Sequence, residues 1–299
     1  MARTADFVEV REVGPRDGLQ GRPAPAEPTS RRVDLIRRLA AAGVARIEVG
    51  SFVSERAVPQ MANTREVVEE SASFDTSVEV LVVSERGASE ALASSCDALL
   101  VVVAATDSFS ARNVRSTRAE ALRTAESIAR DAHAAQRHAI ANIAVAFGCP
   151  DEGRVPSHLV VDMASQLAAA GFEQIYLSDT IGVAGPNDIA RMVAAISGTV
   201  PIDTLGLHLH DTRGLGLVNA LAGLDAGVRR FDASIGGIGG CPFAPGATGN
   251  VATEDLVHLL EVVGATTSVD LDALITTARW LGEELRIELP GHVARARHR

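Results

Sequence analysis

The sequence predicts a (β/α)8 TIM barrel with a C-terminal helical extension, on three observations. Eight short strand-like runs alternate with helical stretches along 299 residues, and the connections are short and carry Gly or Ser. Polar residues able to do chemistry recur at the C-terminal ends of those runs, the face on which barrels build their sites. An open doubly wound sheet also alternates but rarely needs eight units. The whole chain, 1–299, is read as one domain, with the barrel over about 7–263 and the helical segment over about 270–289.

In order, Phe7 to Val13 alternates apolar and charged residues until GPRDG breaks the pattern, delivering Arg16 and Asp17 to the end of the first strand. Thr29 or Ser30 caps a helix whose Val33, Ile36 and Leu39 share a face, and Gly43 ends it. ARIEVGS is the second strand and carries Glu48; a helix over 62–72, a strand over 78–83 and a helix over 84–95 follow. The segment from Asp97 to Ala104 contains a continuous apolar run, as a parallel strand covered on both faces should. A long amphipathic helix spans about 117–136, and the fifth strand, His138 to Phe147, runs into GCPDEG. After a helix over 157–170, EQIYLSDTIG is the sixth strand with Asp179 at its end, and Pro186 opens the next helix. LGLHLHDT is the seventh strand and RRFDASIGG the eighth, followed by a glycine-rich loop from Gly236 to Asn250 and a helix over 253–263.

Composition narrows the function. A net charge of −10 argues against a nucleic-acid partner, which needs a basic patch. All 28 basic residues counted as Lys or Arg are arginine, which excludes a lysine Schiff base. Cys96, Cys149 and Cys241 are an odd number without CxxC spacing, so a reducing compartment is expected. No apolar run reaches the length of a membrane span and the N-terminus lacks a leader pattern, so the cytoplasm is the expected location.

The candidate site is built on His208 and His210. Alternate residues of a strand share a face, so both imidazoles project to one side, as two ligands of one metal would; a plain hydrogen-bonded pair is the competing reading. With Asp17 and Asn250 they supply two imidazoles, a carboxylate and an amide oxygen, a set suited to Mg2+ or Mn2+, with Zn2+ or Fe2+ also open. Asp179 either lies beside that metal or caps a helix. Arg16 places a positive charge where an oxyanion could develop, or serves only as an ion-pair partner. Glu12 and Glu48 are candidate acids of the mouth, or partners of Arg16. Cys241, in a loop rich in glycine, is positioned to act as a proton donor rather than as an inert apolar residue.

EVGPRDGLQ, IEVGSFVSERAVPQM, FGCPDEG, LSDTIGV, HLHDTRGLGLVNAL and GGIGGCPFAPGATGNVATEDLV resemble, in order and spacing, the successive blocks of the 3-hydroxy-3-methylglutaryl-CoA lyase family, within the DRE-TIM metallolyases. The resemblance implies an acyl-CoA substrate cleaved to acetyl-CoA and acetoacetate, and a divalent cation, Mg2+ or Mn2+, on Asp17, His208, His210 and Asn250. It implies Arg16, Cys241, Glu48 and Asp179 in the active site; Arg16, Gln20 and Glu12 are assigned to substrate binding. Asn142, Ala144 and Asp151 stand where the family commonly has tyrosine, serine and tyrosine, which leaves the acyl group open. A related enzyme condensing an acyl-CoA with a 2-oxo acid is less favoured, because such enzymes usually carry further regulatory domains. Barrels of this kind are commonly dimers, and a homodimer or higher homo-oligomer is expected, with no nucleic-acid or membrane partner.

Overall fold

The computed structural model describes residues 7–22, 27–239 and 249–296. Its strands are β1 (Glu9–Glu12), β2 (Arg46–Phe52), β3 (Ser77–Val82), β4 (Ala98–Ala104), β5 (His138–Ala144), β6 (Gly148–Cys149), β7 (Gly153–Arg154), β8 (Gln174–Asp179), β9 (Leu205–Leu209) and β10 (Arg230–Ala233). The helices are α1 (Thr29–Ala41), α2 (Thr64–Ser71), α3 (Glu85–Leu92), α4 (Asp107–Val114), α5 (Arg118–Ala134), α6 (Ser157–Ala169), α7 (Pro186–Ile196), α8 (Gly216–Asp225), α9 (Thr253–Val262) and α10 (Leu271–Leu285). Eight strands, all but β6 and β7, close into a parallel barrel in the order β1-β10-β9-β8-β5-β4-β3-β2, so the expected (β/α)8 TIM barrel is the observed fold. α10 is the C-terminal extension.

Two elements were not anticipated. α4 precedes the long helix, which begins at a Thr117/Glu120 capping box that satisfies backbone N–H groups at both residues. The GCPDEG segment folds as the antiparallel hairpin β6–β7.

The main core lies between strands and helices, where side chains such as Leu35, Ile36 and Leu39 of α1 are fully buried. Each such side chain contributes about 1.5–3 kcal/mol relative to exposure. Gly43 ends α1 at φ +85°, and a Cβ there would lie 2.3 Å from the Ser268 carbonyl oxygen, so only glycine fits the turn into β2. The lumen holds a second apolar cluster of Leu81, Ala98, Leu100, Ile140 and Tyr176, brought together by the register of β3, β4, β5 and β8. Beside it the lumen is charged: Arg11 of β1 faces Asp232 of β10 and Glu79 of β3. A bulge between Glu48 and Gly50 shifts the pairing of β2 with β3, a device that re-aims side chains near a barrel rim.

Candidate active site

β1 ends at Glu12, and the carbonyl of the next residue, Val13, accepts from the N–H groups of Arg16 (3.2 Å), Asp17 (2.7 Å) and Gly18 (3.2 Å). That triple acceptance folds Gly14–Gly18 into one wide helical turn, which carries Asp17 to the end of β9. His208 lies within β9 and His210 one residue beyond it, both buried, with their Nε2 atoms 3.2 Å apart. The chain past β9 pairs with the segment around Asn250: Asp211 N donates to Gly249 O (3.0 Å) and Val251 N to Leu209 O (3.1 Å). Asn250 is thereby set opposite His210, its amide 2.7 Å from Asp17 Oδ2. One ligand atom each from Asp17, His208 and His210 lie within 4.8 Å of one another.

The electrostatics suit a cation. Burial opposes ionisation of Asp17, but Arg16, the two imidazoles and the Asn250 amide outweigh it and hold the carboxyl at about 2. Burial, reinforced by His208, lowers His210 to about 4 against the pull of Asp17, so this imidazole is neutral at ordinary pH. An ionised carboxylate and a neutral imidazole are the protonation states a metal ligand needs. The Nδ1 atom of His210 is buried with no hydrogen-bond partner among the described residues, and the Asn250 amide nitrogen donates to Asp17 Oδ2 (2.7 Å) and to the Ile238 carbonyl (3.2 Å), which sets the carboxamide beside the cluster. The residues therefore fit a divalent cation of borderline or hard character.

Arg16 sits against this cluster. Its Nη1 donates to Asp17 Oδ1 (2.8 Å), while Nε and Nη2 donate to Glu48 Oε1 (2.7 Å) and Oε2 (2.8 Å), a bidentate pair. Burial opposes the guanidinium charge, yet Glu48 and Asp17 more than restore it. Gln20 Nε2 donates to Asp17 Oδ1 (2.9 Å), bracing the carboxylate from the side away from Asn250. Arg16, Asp17, Gln20, Glu48, His208, His210 and Asn250 thus converge.

Glu12, assigned to substrate binding from the sequence, does not join them. Successive strand residues face opposite ways, and with Arg11 in the lumen Glu12 points outward. It is fully buried, and its carboxylate accepts from Gly14 N (2.7 Å), Ile235 N (2.8 Å) and Thr253 Oγ1 (2.5 Å). It ties the Arg16–Asp17 turn to the start of the loop that follows β10. Asp179 likewise spends both oxygens on backbone, accepting from Val183 N (2.9 Å) and Ala184 N (3.0 Å), so it organises the loop after β8. Cys241 lies outside the described residues. Cys149 is buried beside the Thr106 (3.3 Å) and Ser108 (3.6 Å) hydroxyls, and Asn142 accepts a hydrogen bond from Ser178, the register partner of His208.

Sequence reasoning passed over Asp232 and Glu254. Asp232 bonds His208 Nδ1 (3.0 Å) and carries a bidentate Arg11. Its signal was an acid flanked by Phe231 and Ala233 inside a short strand, since a fully buried carboxylate is rare without a partner. Glu254 is fully buried at the start of α9 and accepts from Gly236 N (2.9 Å), beside the contact that Glu12 makes with Ile235.

Comparison with known proteins agrees with this architecture. The family model described as HMGL-like matches residues 8–281. An (R)-citramalyl-CoA lyase of Chloroflexus aurantiacus is 42% identical over 97% of this chain and 95% of its own. A hydroxymethylglutaryl-CoA lyase of Pseudomonas mevalonii is 40% identical over 89% of each. Among solved structures, an HMG-CoA lyase of Bacillus subtilis superposes with a TM-score of 0.95 at 33% identity over 98% of both chains. An HMG-CoA lyase of Acinetobacter baumannii, determined with coenzyme A and 3-methylmalate, superposes with a TM-score of 0.92 at 38% identity, over 99% of this chain and 97% of that one. A family match across nearly the whole barrel, carried by relatives that share its fold, means that the chain belongs to the HMGL-like family of carbon–carbon lyases.

Proposed function

We propose that the protein is a divalent-metal-dependent lyase of an acyl-CoA, cleaving 3-hydroxy-3-methylglutaryl-CoA to acetyl-CoA and acetoacetate. The observation that carries this reading is the meeting of Asp17, His208 and His210 beside the Arg16 guanidinium. Asp17, His208, His210 and Asn250 would hold Mg2+ or Mn2+, which when bound acidifies the substrate's tertiary hydroxyl and screens its carboxylate.

The remaining chemistry belongs to the chain. Once the hydroxyl proton leaves, its electron pair forms the ketone, the adjacent carbon–carbon bond breaks, and the released pair moves into the thioester as the enolate of acetyl-CoA. Arg16, held by Glu48 through two hydrogen bonds, offers a preoriented positive charge to the enolate oxygen. Cys241 then protonates the enolate carbon. Without that proton the enolate would add back to the ketone.

A second reading is favoured by the buried Asn142–Ser178 pair, which joins β5 to β8, the neighbour of the His208 strand, with Asn142 where the resembled family commonly has a larger aromatic side chain. With the 42% identity to a citramalyl-CoA lyase, it supports citramalyl-CoA, whose carboxylate sits on the carbinol carbon and whose cleavage gives acetyl-CoA and pyruvate. Incubating the protein and Mn2+ with each thioester separates the two. Acetoacetate supports the first reading and pyruvate the second; release of neither refutes both.

A further inference from the structure

We infer that Asp232 is a positioning residue for His208: with Arg11 it forms a buried Arg–Asp–His relay that presents the His208 Nε2 lone pair to the cation. The inference rests on the reading that Asp17, His208 and His210 hold a divalent cation.

Asp232 is 3% exposed and Arg11 fully buried, so neither charge is sustained by water. Arg11 grips the carboxylate in the plane of its fork, Nε to Oδ1 at 2.8 Å and Nη2 to Oδ2 at 2.7 Å. The second lone-pair direction of Oδ2 faces His208 Nδ1 at 3.0 Å. A carboxylate accepts only, so the proton in that contact belongs to Nδ1, and neutral His208 must carry its lone pair on Nε2. That Nε2 is the atom 3.2 Å from His210 Nε2, on the side where Asp17 converges.

The carboxylate cannot swing away. Arg11 also stacks on the Tyr176 ring, its guanidinium carbon 4.0 Å from the centroid, and its Nη1 reaches Glu79 Oε2 at 3.3 Å. Glu79 is in turn held by Arg46 Nε at 2.5 Å. The ring of charges runs across neighbouring strands, since Arg11 pairs in register with both Asp232 and Arg46. An ion pair serving stability alone would need Arg11 and Asp232 only; the contact to a predicted ligand's distal nitrogen is what gives the relay a bearing on the site. Carboxylates in that position fix the ring and its tautomer, and their loss typically costs about 10–100-fold in metal affinity.

Two measurements test this. Long-range 1H–15N spectra of metal-free wild-type protein, labelled at histidine, should show His208 as the Nδ1–H tautomer; the Nε2–H tautomer would overturn the inference, and this readout needs no variant to fold. Mn2+ titration of Asp232→Asn should show affinity about 10–100-fold below wild type, with a mixed His208 tautomer and unchanged far-UV circular dichroism. Unchanged Mn2+ affinity in that variant overturns the inference and leaves the cation site standing, whereas a wild type that takes up no Mn2+ sinks the cation reading and the inference together.

Discussion

Arg16 and Glu48 are joined by two near-parallel hydrogen bonds of 2.7 and 2.8 Å in a region where neither side chain is more than 7% exposed. The pair leaves one guanidinium nitrogen, Nη1, for Asp17, so the orientation of the positive charge is set from behind before any substrate arrives. Such preorganisation is what makes a charge useful to a developing enolate, because no reorientation is required during the reaction.

Replacing Arg16 by Met should lower kcat by at least about 100-fold, the usual consequence of losing one preoriented oxyanion donor. It should also leave Glu48 buried and unpaired, at about 3–5 kcal/mol of stability. Steady-state assays with urea denaturation check both halves: an unchanged kcat would remove Arg16 from the chemistry, whatever happened to stability. Bound Mn2+ should be retained, since Arg16 touches the ligand cluster only through Asp17.

Removing a member of the cluster should behave in the opposite sense. His208→Ala and Asp17→Ala are expected to lose bound Mn2+ and turnover together while far-UV circular dichroism is preserved. Metal content by elemental analysis after gel filtration decides the matter, and a variant that keeps stoichiometric metal would show that its side chain is not a ligand.

The barrel and the meeting of Asp17 with His208 and His210 were legible because both rest on short-range rules. A period of two aligned His208 with His210, and the strand-end position of Asp17 followed from the repeat of strand and helix, as did that of Asn250 at the end of the glycine-rich loop. The same rule, applied to β1, turns Glu12 outward once Arg11 lies in the lumen. What sequence could not supply was register. Asp232 meets His208 only because β10 lies beside β9 with those residues paired, and Arg11 meets Asp232 only because the barrel closes β1 against β10. Those contacts join residues 24 and 221 positions apart, beyond the reach of any local pattern. α4 was missed for a different reason: residues 105–116, between the apolar run ending at Ala104 and the helix from about 117, carry no strong period and received no element.

Two buried acids behind the loop after β10 give the fold a pH dependence. Burial lifts Glu254 to about 8, against the Gly236 N–H and with help from Asp255 and Glu12, and burial lifts Glu12 to about 7 despite its three donors. Both values lie above the ordinary 4.5, so the unfolded chain releases these protons first as pH rises. Their contribution is complete below about 4.5, declines as pH climbs towards 8, and is level beyond it. Each group should remove about 1.4 kcal/mol per pH unit within its window. Glu254→Gln should flatten the slope by that amount between pH values of about 5 and 8, read by urea denaturation. A variant with the wild-type slope would show that Glu254 is ionised in the folded protein.

Asp179 separates a loop-holding role from a chemical one. Its two oxygens receive the N–H groups of Val183 and Ala184, and burial raises its carboxyl against both of those donors, so the side chain works as a clip on the segment leaving β8. Asp179→Ala strands two backbone donors where they were paired, at about 1–3 kcal/mol for each that stays buried. The expected result is a lower melting temperature and faster proteolysis within residues 180–185, with Mn2+ affinity unchanged. Asp179→Asn keeps one acceptor oxygen and should recover part of the stability. If instead Asp179→Asn is as stable as wild type yet loses turnover as fully as Arg16→Met, the carboxylate takes part in the reaction and the loop contacts are secondary.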